Sequence, residues 1–139
     1  MNPPRYAAPL GATDVVHVVA VDDGLEVFTS KEISATDRYL AAHFPGQVVY
    51  PGVFVLETVR QAVVAALGER DGALPDVSVV RSMRFRSALR PGERLEVNAT
   101  VGVPDQAGTI AVRARCRRPD GTEVATLTLE LCYEEATDA

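Results

Sequence analysis

From residue 14 onward, two kinds of hydrophobic pattern share the chain. Residues Asp14 to Val21 are β-branched and apolar, Asp22-Asp23-Gly24 is a turn signal, and Leu25 to Ile33 is a second extended run, so a hairpin is expected. A short helical piece is expected over Thr36 to Ala42, with Thr36 as its cap. His43 to Gly52 reads as a loop by its Pro and Gly content and leads into Val53 to Leu67, whose length and composition suit a helix. Apolar side chains occupy nearly every side of that segment, which predicts a buried helix. Its polar residues, Glu57, Thr58, Arg60 and Gln61, fall within the first turns, and Gly68 suits its stop.

After the helix the period changes to two. Four strands are expected, at Val77 to Arg86, Arg94 to Val103, Thr109 to Arg118 and Thr122 to Tyr133, with turns at residues 104–108 and at Pro119-Asp120-Gly121. Leu95, Val97, Ala99, Val101 and Val103 share one face, and Ala125, Leu127, Leu129, Leu131 and Tyr133 repeat the pattern, as in an antiparallel sheet with one packed side. On these registers Cys116 points inward and Cys132 outward, which argues against a disulfide. Two strands, a long helix and four strands pack most economically as one curved antiparallel sheet around one helix, an α+β domain. That domain is expected over residues 13–134. Residues 1–12, with Pro3, Pro4, Pro9 and Gly11, read as an irregular arm and residues 135–139 as a frayed end.

Composition narrows the function classes. A chain of 139 residues is one domain's worth, and 47% apolar with 24% charged residues is a globular balance. Two Cys and two His give a metal centre little to draw on, so no metal is expected. The apolar runs fall far short of the roughly 20 residues that cross a bilayer. The start lacks the pattern of a secretory signal, so a cytoplasmic protein without membrane contact is expected. The net charge of −5 hides an asymmetry: nine Arg stand between residues 81 and 118 against Glu93, Glu96 and Asp105, whereas residues 119–139 hold six acids and no base. Without an aromatic-rich RNA signature or a finger motif, nucleic acid is not the expected partner. Arg81, Arg84, Arg86, Arg90 and Arg94 suit either a small acidic protein or a solvated strand face.

The segment His43-Phe44-Pro45-Gly46, followed by Pro51-Gly52 and then by Glu57 with Gln61 four residues later, carries the most specific pattern. It resembles the signature of the hot-dog-fold 3-hydroxyacyl-[acyl-carrier-protein] dehydratases of the FabZ type. Arg84-Phe85-Arg86 and Arg90-Pro91-Gly92-Glu93 extend the likeness over roughly residues 25–133. The resemblance implies a hot-dog domain that dehydrates (3R)-hydroxyacyl thioesters to 2-enoyl thioesters in fatty-acid or polyketide-type chain building. The substrate would be a phosphopantetheine-linked chain on acyl carrier protein, with no cofactor. It also implies a homodimer, or a trimer of dimers or a heterodimer, in which His43 of one protomer meets Glu57 of the other. Three departures suggest a specialised pathway member. Val48 stands where the family usually has Pro, the N-terminal part lacks the Pro-His-Arg-Tyr-Pro-Phe segment, and Arg60 replaces a small or apolar residue.

The chemistry accounts for the residue types. Dehydration needs loss of an α-proton, a place for charge on the thioester oxygen, and a proton for the departing hydroxyl. His43 supplies a base with an unperturbed pKa of about 6.5. Glu57, set into an apolar helix, is expected to be desolvated and to serve as the acid. Gly52 at the helix start offers a backbone N–H and the positive end of the helix dipole to the thioester carbonyl. Gln61 is expected to anchor rather than react, and Tyr50, Phe54 and Phe85 to shape the acyl tunnel. His17 has no motif around it and reads as an ordinary strand residue. Two other readings compete: a hot-dog thioesterase in which Glu57 activates water, and a non-catalytic hot-dog subunit that binds carrier protein beside a partner.

Overall fold

The computed structural model describes residues 16–33, 52–90 and 92–133. His43, Tyr50, the expected helix at Thr36 to Ala42 and both chain ends lie outside the described residues. The elements are β1 (Val16–Val21), β2 (Gly24–Glu32), α1 (Gly52–Leu67), β3 (Pro75–Phe85), β4 (Arg94–Gly102), β5 (Ile110–Arg117) and β6 (Glu123–Tyr133). Each strand boundary falls within two residues of the sequence expectation. The six strands form one sheet in the order β1-β2-β4-β5-β6-β3, antiparallel throughout. The chain therefore runs from the β1–β2 edge, through the helix, to the opposite edge strand β3.

Alternation decides which face meets the helix. Leu95, Val97, Ala99 and Val101 of β4 are buried, as are Ala125, Leu127, Leu129 and Leu131 of β6. They join Val55, Val59, Ala62 and Val63 of α1 in one core. Val103 departs from its expected place: β4 ends at Gly102 and Val103 is 64% exposed. At the β1–β2 turn, Gly24 has φ 141° and a Cβ there would lie 1.9 Å from the Val101 carbonyl oxygen, so only glycine lets β2 reach β4 at this point. Cys116 is buried and Cys132 half-buried, and both are free thiols.

The helix is not buried all round. Val55, Thr58, Val59, Ala62, Val63 and Val64 face the core, whereas Val53 is 61% exposed. A single sheet covers only one side of a helix, so an all-round apolar sequence leaves apolar surface over. The far end of α1 is held to β6, where the single Tyr133 O–H proton is shared between the carbonyls of Gly68 (3.0 Å) and Leu67 (3.3 Å) at the helix end. Gly68 stops the helix in the left-handed conformation, as expected.

The connection from β3 to β4 is clamped by Arg118. Its Nε donates to Glu93 Oε2 (2.7 Å), Nη1 to Ser87 Oγ (3.0 Å) and Nη2 to the Ala88 carbonyl. Together with the Arg90 backbone N–H, which donates to the other carboxylate oxygen, this contact holds the Glu93 carboxyl below the usual carboxylate range. No helix among the described residues is long and apolar enough to cross a membrane.

Candidate active site

Helix α1 begins at Gly52, directly after Pro51, and its first turn lies beneath the ring of Phe85 at the end of β3. The fit is close: a Cβ on Gly52 would stand 2.6 Å from Phe85 Cζ. A glycine here lets an aromatic ring rest on the helix entry, where backbone N–H groups have no intrahelical acceptor. Phe85 is 48% exposed and lies outside the core. Phe54 is half-buried against the core, and its carbonyl accepts a hydrogen bond from Thr58 Oγ1 at 2.9 Å.

One turn further on, Glu57 is surrounded by polar groups rather than the apolar setting expected for it. Arg60 donates from Nε to Oε1 and from Nη2 to Oε2, both at 2.7 Å. Gln61 Nε2 donates to Oε2 at 3.2 Å. Arg60 Nη1 also lies 3.8 Å from Asp76 Oδ1 at the start of β3, and that same oxygen accepts the Val77 backbone N–H at 2.8 Å. The Arg60 side chain is 11% exposed and that of Glu57 23%. Spacings of three and four residues place Arg60 and Gln61 beside Glu57 on the helix surface, which is why one carboxylate collects donors from both.

Of the expected site residues, the structure brings Glu57 and Gln61 into contact and sets Gly52 against Phe85, with Phe54 on the same helix. His43 and Tyr50 lie outside the described residues. Arg60 and Asp76 were not expected in the cluster. The signal for Arg60 was its spacing from Glu57; Asp76 gave none, because its place depends on how β3 returns along the helix.

The arginines expected to meet an acidic partner or solvent are partly engaged within the sheet. Arg81 pairs with Glu130 (2.6 Å), Arg86 with Glu123 (3.9 Å) and Arg94 with Glu32 (3.7 Å). An open groove of about 610 Å³ lies on the side of the sheet away from the helix, between His17, Phe28, Asn98 and Arg115. It contains none of the expected site residues. We place the candidate site at Glu57 because the clustered carboxylate stands on the helix whose entry Phe85 covers.

Residues 21–124 match the ApeI-like family, described as ApeI dehydratase. The chain is 33% identical over 136 residues to the 3-hydroxyacyl-[acyl-carrier-protein] dehydratase FabZ of Latilactobacillus sakei, covering 95% of this chain and 92% of the relative. Among solved structures it resembles the dehydratase heterocomplex ApeI:P from Xenorhabdus doucetiae, with a TM-score of 0.70 at 21% identity, covering 94% of this chain and 88% of that one. A hot-dog-like protein from Thermanaerovibrio acidaminovorans matches with a TM-score of 0.68 at 17% identity, covering 83% and 84% of the two chains. The sheet wrapped on one long helix is thus a hot-dog fold.

Proposed function

Since this chain belongs to the ApeI-like dehydratase family, we propose that it removes water from 3-hydroxyacyl chains held as thioesters on an acyl carrier protein, giving 2-enoyl thioesters without a cofactor. The observation that carries the reading is the joint placement of Glu57 and Gln61 one turn beyond a helix entry capped by Phe85.

In this reading His43 takes the α-proton of the thioester, the Cβ–O bond breaks, and the hydroxyl takes a proton from the Glu57 carboxyl and leaves as water. General acid–base catalysis of this kind contributes about 10²–10⁴-fold. Charge on the thioester oxygen is met by the backbone N–H of Gly52 and the positive end of the α1 dipole, a donor worth about 10²–10³ in rate. Tyr50, Phe54 and Phe85 shape the acyl tunnel. The (3R) configuration and a place in specialised chain building follow from the resemblance and belong to the same proposal.

The proposed assembly is a homodimer in which His43 of one protomer faces Glu57 of the other. Strand β3 supports it: this edge strand runs for 11 residues and leaves Val79, Val80 and Phe85 exposed, a surface that edge-to-edge pairing with a second copy would cover.

A second reading has one observation in its favour. The two-point contact from Arg60 suits a carboxylate that activates water, which is what a thioesterase would ask of Glu57.

One experiment separates the readings. The protein is incubated with a 3-hydroxyacyl carrier protein, and the acyl group is weighed by mass spectrometry beside His43→Ala and Glu57→Gln. Loss of one water with the wild type alone is expected. Release of free carrier thiol would favour the thioesterase, and an unchanged substrate across several chain lengths would overturn both.

A further inference from the structure

Arg60 is one of the points at which this chain parts from the dehydratase pattern it resembles, and the structure places it against the candidate acid. Its guanidinium meets the Glu57 carboxyl in parallel, with both contacts at 2.7 Å, the fork-to-fork arrangement of an ion pair. Gln61 adds a third donor at 3.2 Å.

Arg60 is also braced. Nη1 lies 3.8 Å from Oδ1 of Asp76 at the start of β3, which also accepts the Val77 N–H, so the guanidinium spans from the helix to the edge strand. With a side chain only 11% exposed, it has little freedom to swing into solvent. Glu57 has three rotatable side-chain bonds, and the bridge selects one arrangement of them.

We propose that Arg60 is a positioning residue that holds the Glu57 carboxyl in one rotamer, turned toward the substrate hydroxyl. The proposal rests on the dehydratase reading for its catalytic consequence, but the clamp itself does not. Held so, the Glu57 carboxyl is aligned with the Cβ–O bond that breaks as water leaves. Misplacing a reacting partner by about 1 Å costs about 10²-fold in rate, and loss of the clamp is expected to approach that.

The test compares wild type, Arg60→Met, Arg60→Lys, Glu57→Ala and the double variant Glu57→Ala/Arg60→Met in steady-state dehydration. Arg60→Met should lower kcat by about 10²-fold with KM little changed. Arg60→Lys, which keeps the charge but not the fork, should recover part of that loss. The double variant should be no slower than Glu57→Ala alone, because a residue acting through Glu57 has nothing left to act on. Wild-type kcat in Arg60→Met, or losses that multiply in the double variant, would overturn the proposal. If Arg60→Met does not fold, Asp76→Asn loosens the brace without touching Glu57 and should lower kcat by a smaller factor; no change there would count against it.

A second readout is independent of turnover. The Arg60 Nε–H proton should exchange slowly with water in the wild type, and rapidly in Glu57→Ala, by ¹⁵N-edited NMR with Arg60→Lys to identify the signal. If the wild type fails to dehydrate any chain, the functional reading falls by itself, and this exchange rate alone decides the clamp: protection lost in Glu57→Ala keeps it, and unchanged protection removes it.

Discussion

Replacing Gly52 with Ala adds one methyl group where the structure has no room for it. The new Cβ would stand 2.6, 3.0 and 3.1 Å from Phe85 Cζ, Cε2 and Cε1. Carbon atoms in good contact sit about 3.5–4.0 Å apart, so the ring must retreat by about 1 Å. It can do so, because Phe85 is 48% exposed. The penalty is therefore lost packing under the ring, at the low end of the about 1–3 kcal/mol that overpacking costs. Against it stands the gain from Ala over Gly, up to about 1 kcal/mol in a helix interior and less at the first helical residue. The balance is a loss of about 1 kcal/mol in Gly52→Ala. In a Phe85→Ala background the clash is gone, and the same substitution should instead stabilise by about 0.5 kcal/mol. The coupling between the two sites is then about 1.5 kcal/mol. Urea denaturation of the four proteins at one protomer concentration measures it. An equal effect of Gly52→Ala in both backgrounds would show that Phe85 does not rest on the helix entry.

Other consequences are as direct. Burial pushes the Cys116 thiol up to about 12, so iodoacetamide at mildly alkaline pH should label only Cys132 in the native protein, and two labels by mass spectrometry would contradict the register of β5. Arg118 and the Arg90 N–H hold Glu93 below the usual carboxylate range, so Glu93 stabilises the fold above the ordinary value for a free Glu, and that contribution fades as pH falls through its lowered value. Glu93→Gln should accordingly be less stable than wild type at neutral pH and approach it in strong acid, as read from urea midpoints; a constant gap would rule out the linkage. Leu129, fully buried in β6, should cost about 2–5 kcal/mol on change to Ala, and a smaller loss would mean the core can collapse around it.

What was legible in the chain was mostly the sheet. The alternation in residues 95–101 and 125–131 depends on period two alone, and both runs face the helix as expected. Turns marked by Asp-Gly and Pro-Asp-Gly fall where those residues stand, because their backbone requirements are local. The helix was legible in extent but not in surroundings. An all-round apolar sequence says only that apolar surface must be covered, and one sheet covers one side, so Val53 remains 61% exposed. Val103 continued the β4 pattern in sequence, yet pairing with β5 ends before it: Val101 is the last β4 residue matched across that ladder.

The candidate acid shows the same division between local and long-range information. The Glu57 to Arg60 spacing is a local fact, and on a helix an acid followed three residues later by Arg is a ready ion pair. The apolar character of the segment points to a desolvated carboxyl, whereas the cation three residues on gives it a polar setting. Asp76 is a different matter, because it reaches the cluster only through the crossover that sends β3 to the far edge of the sheet and back along the helix. That strand therefore serves two ends at once. Its first residues brace the carboxylate through Arg60, and its last residue covers the helix entry at Gly52. A shift of β3 along β6 would disturb both together, so a binding event that moves this edge strand would act on acid and helix entry as one unit.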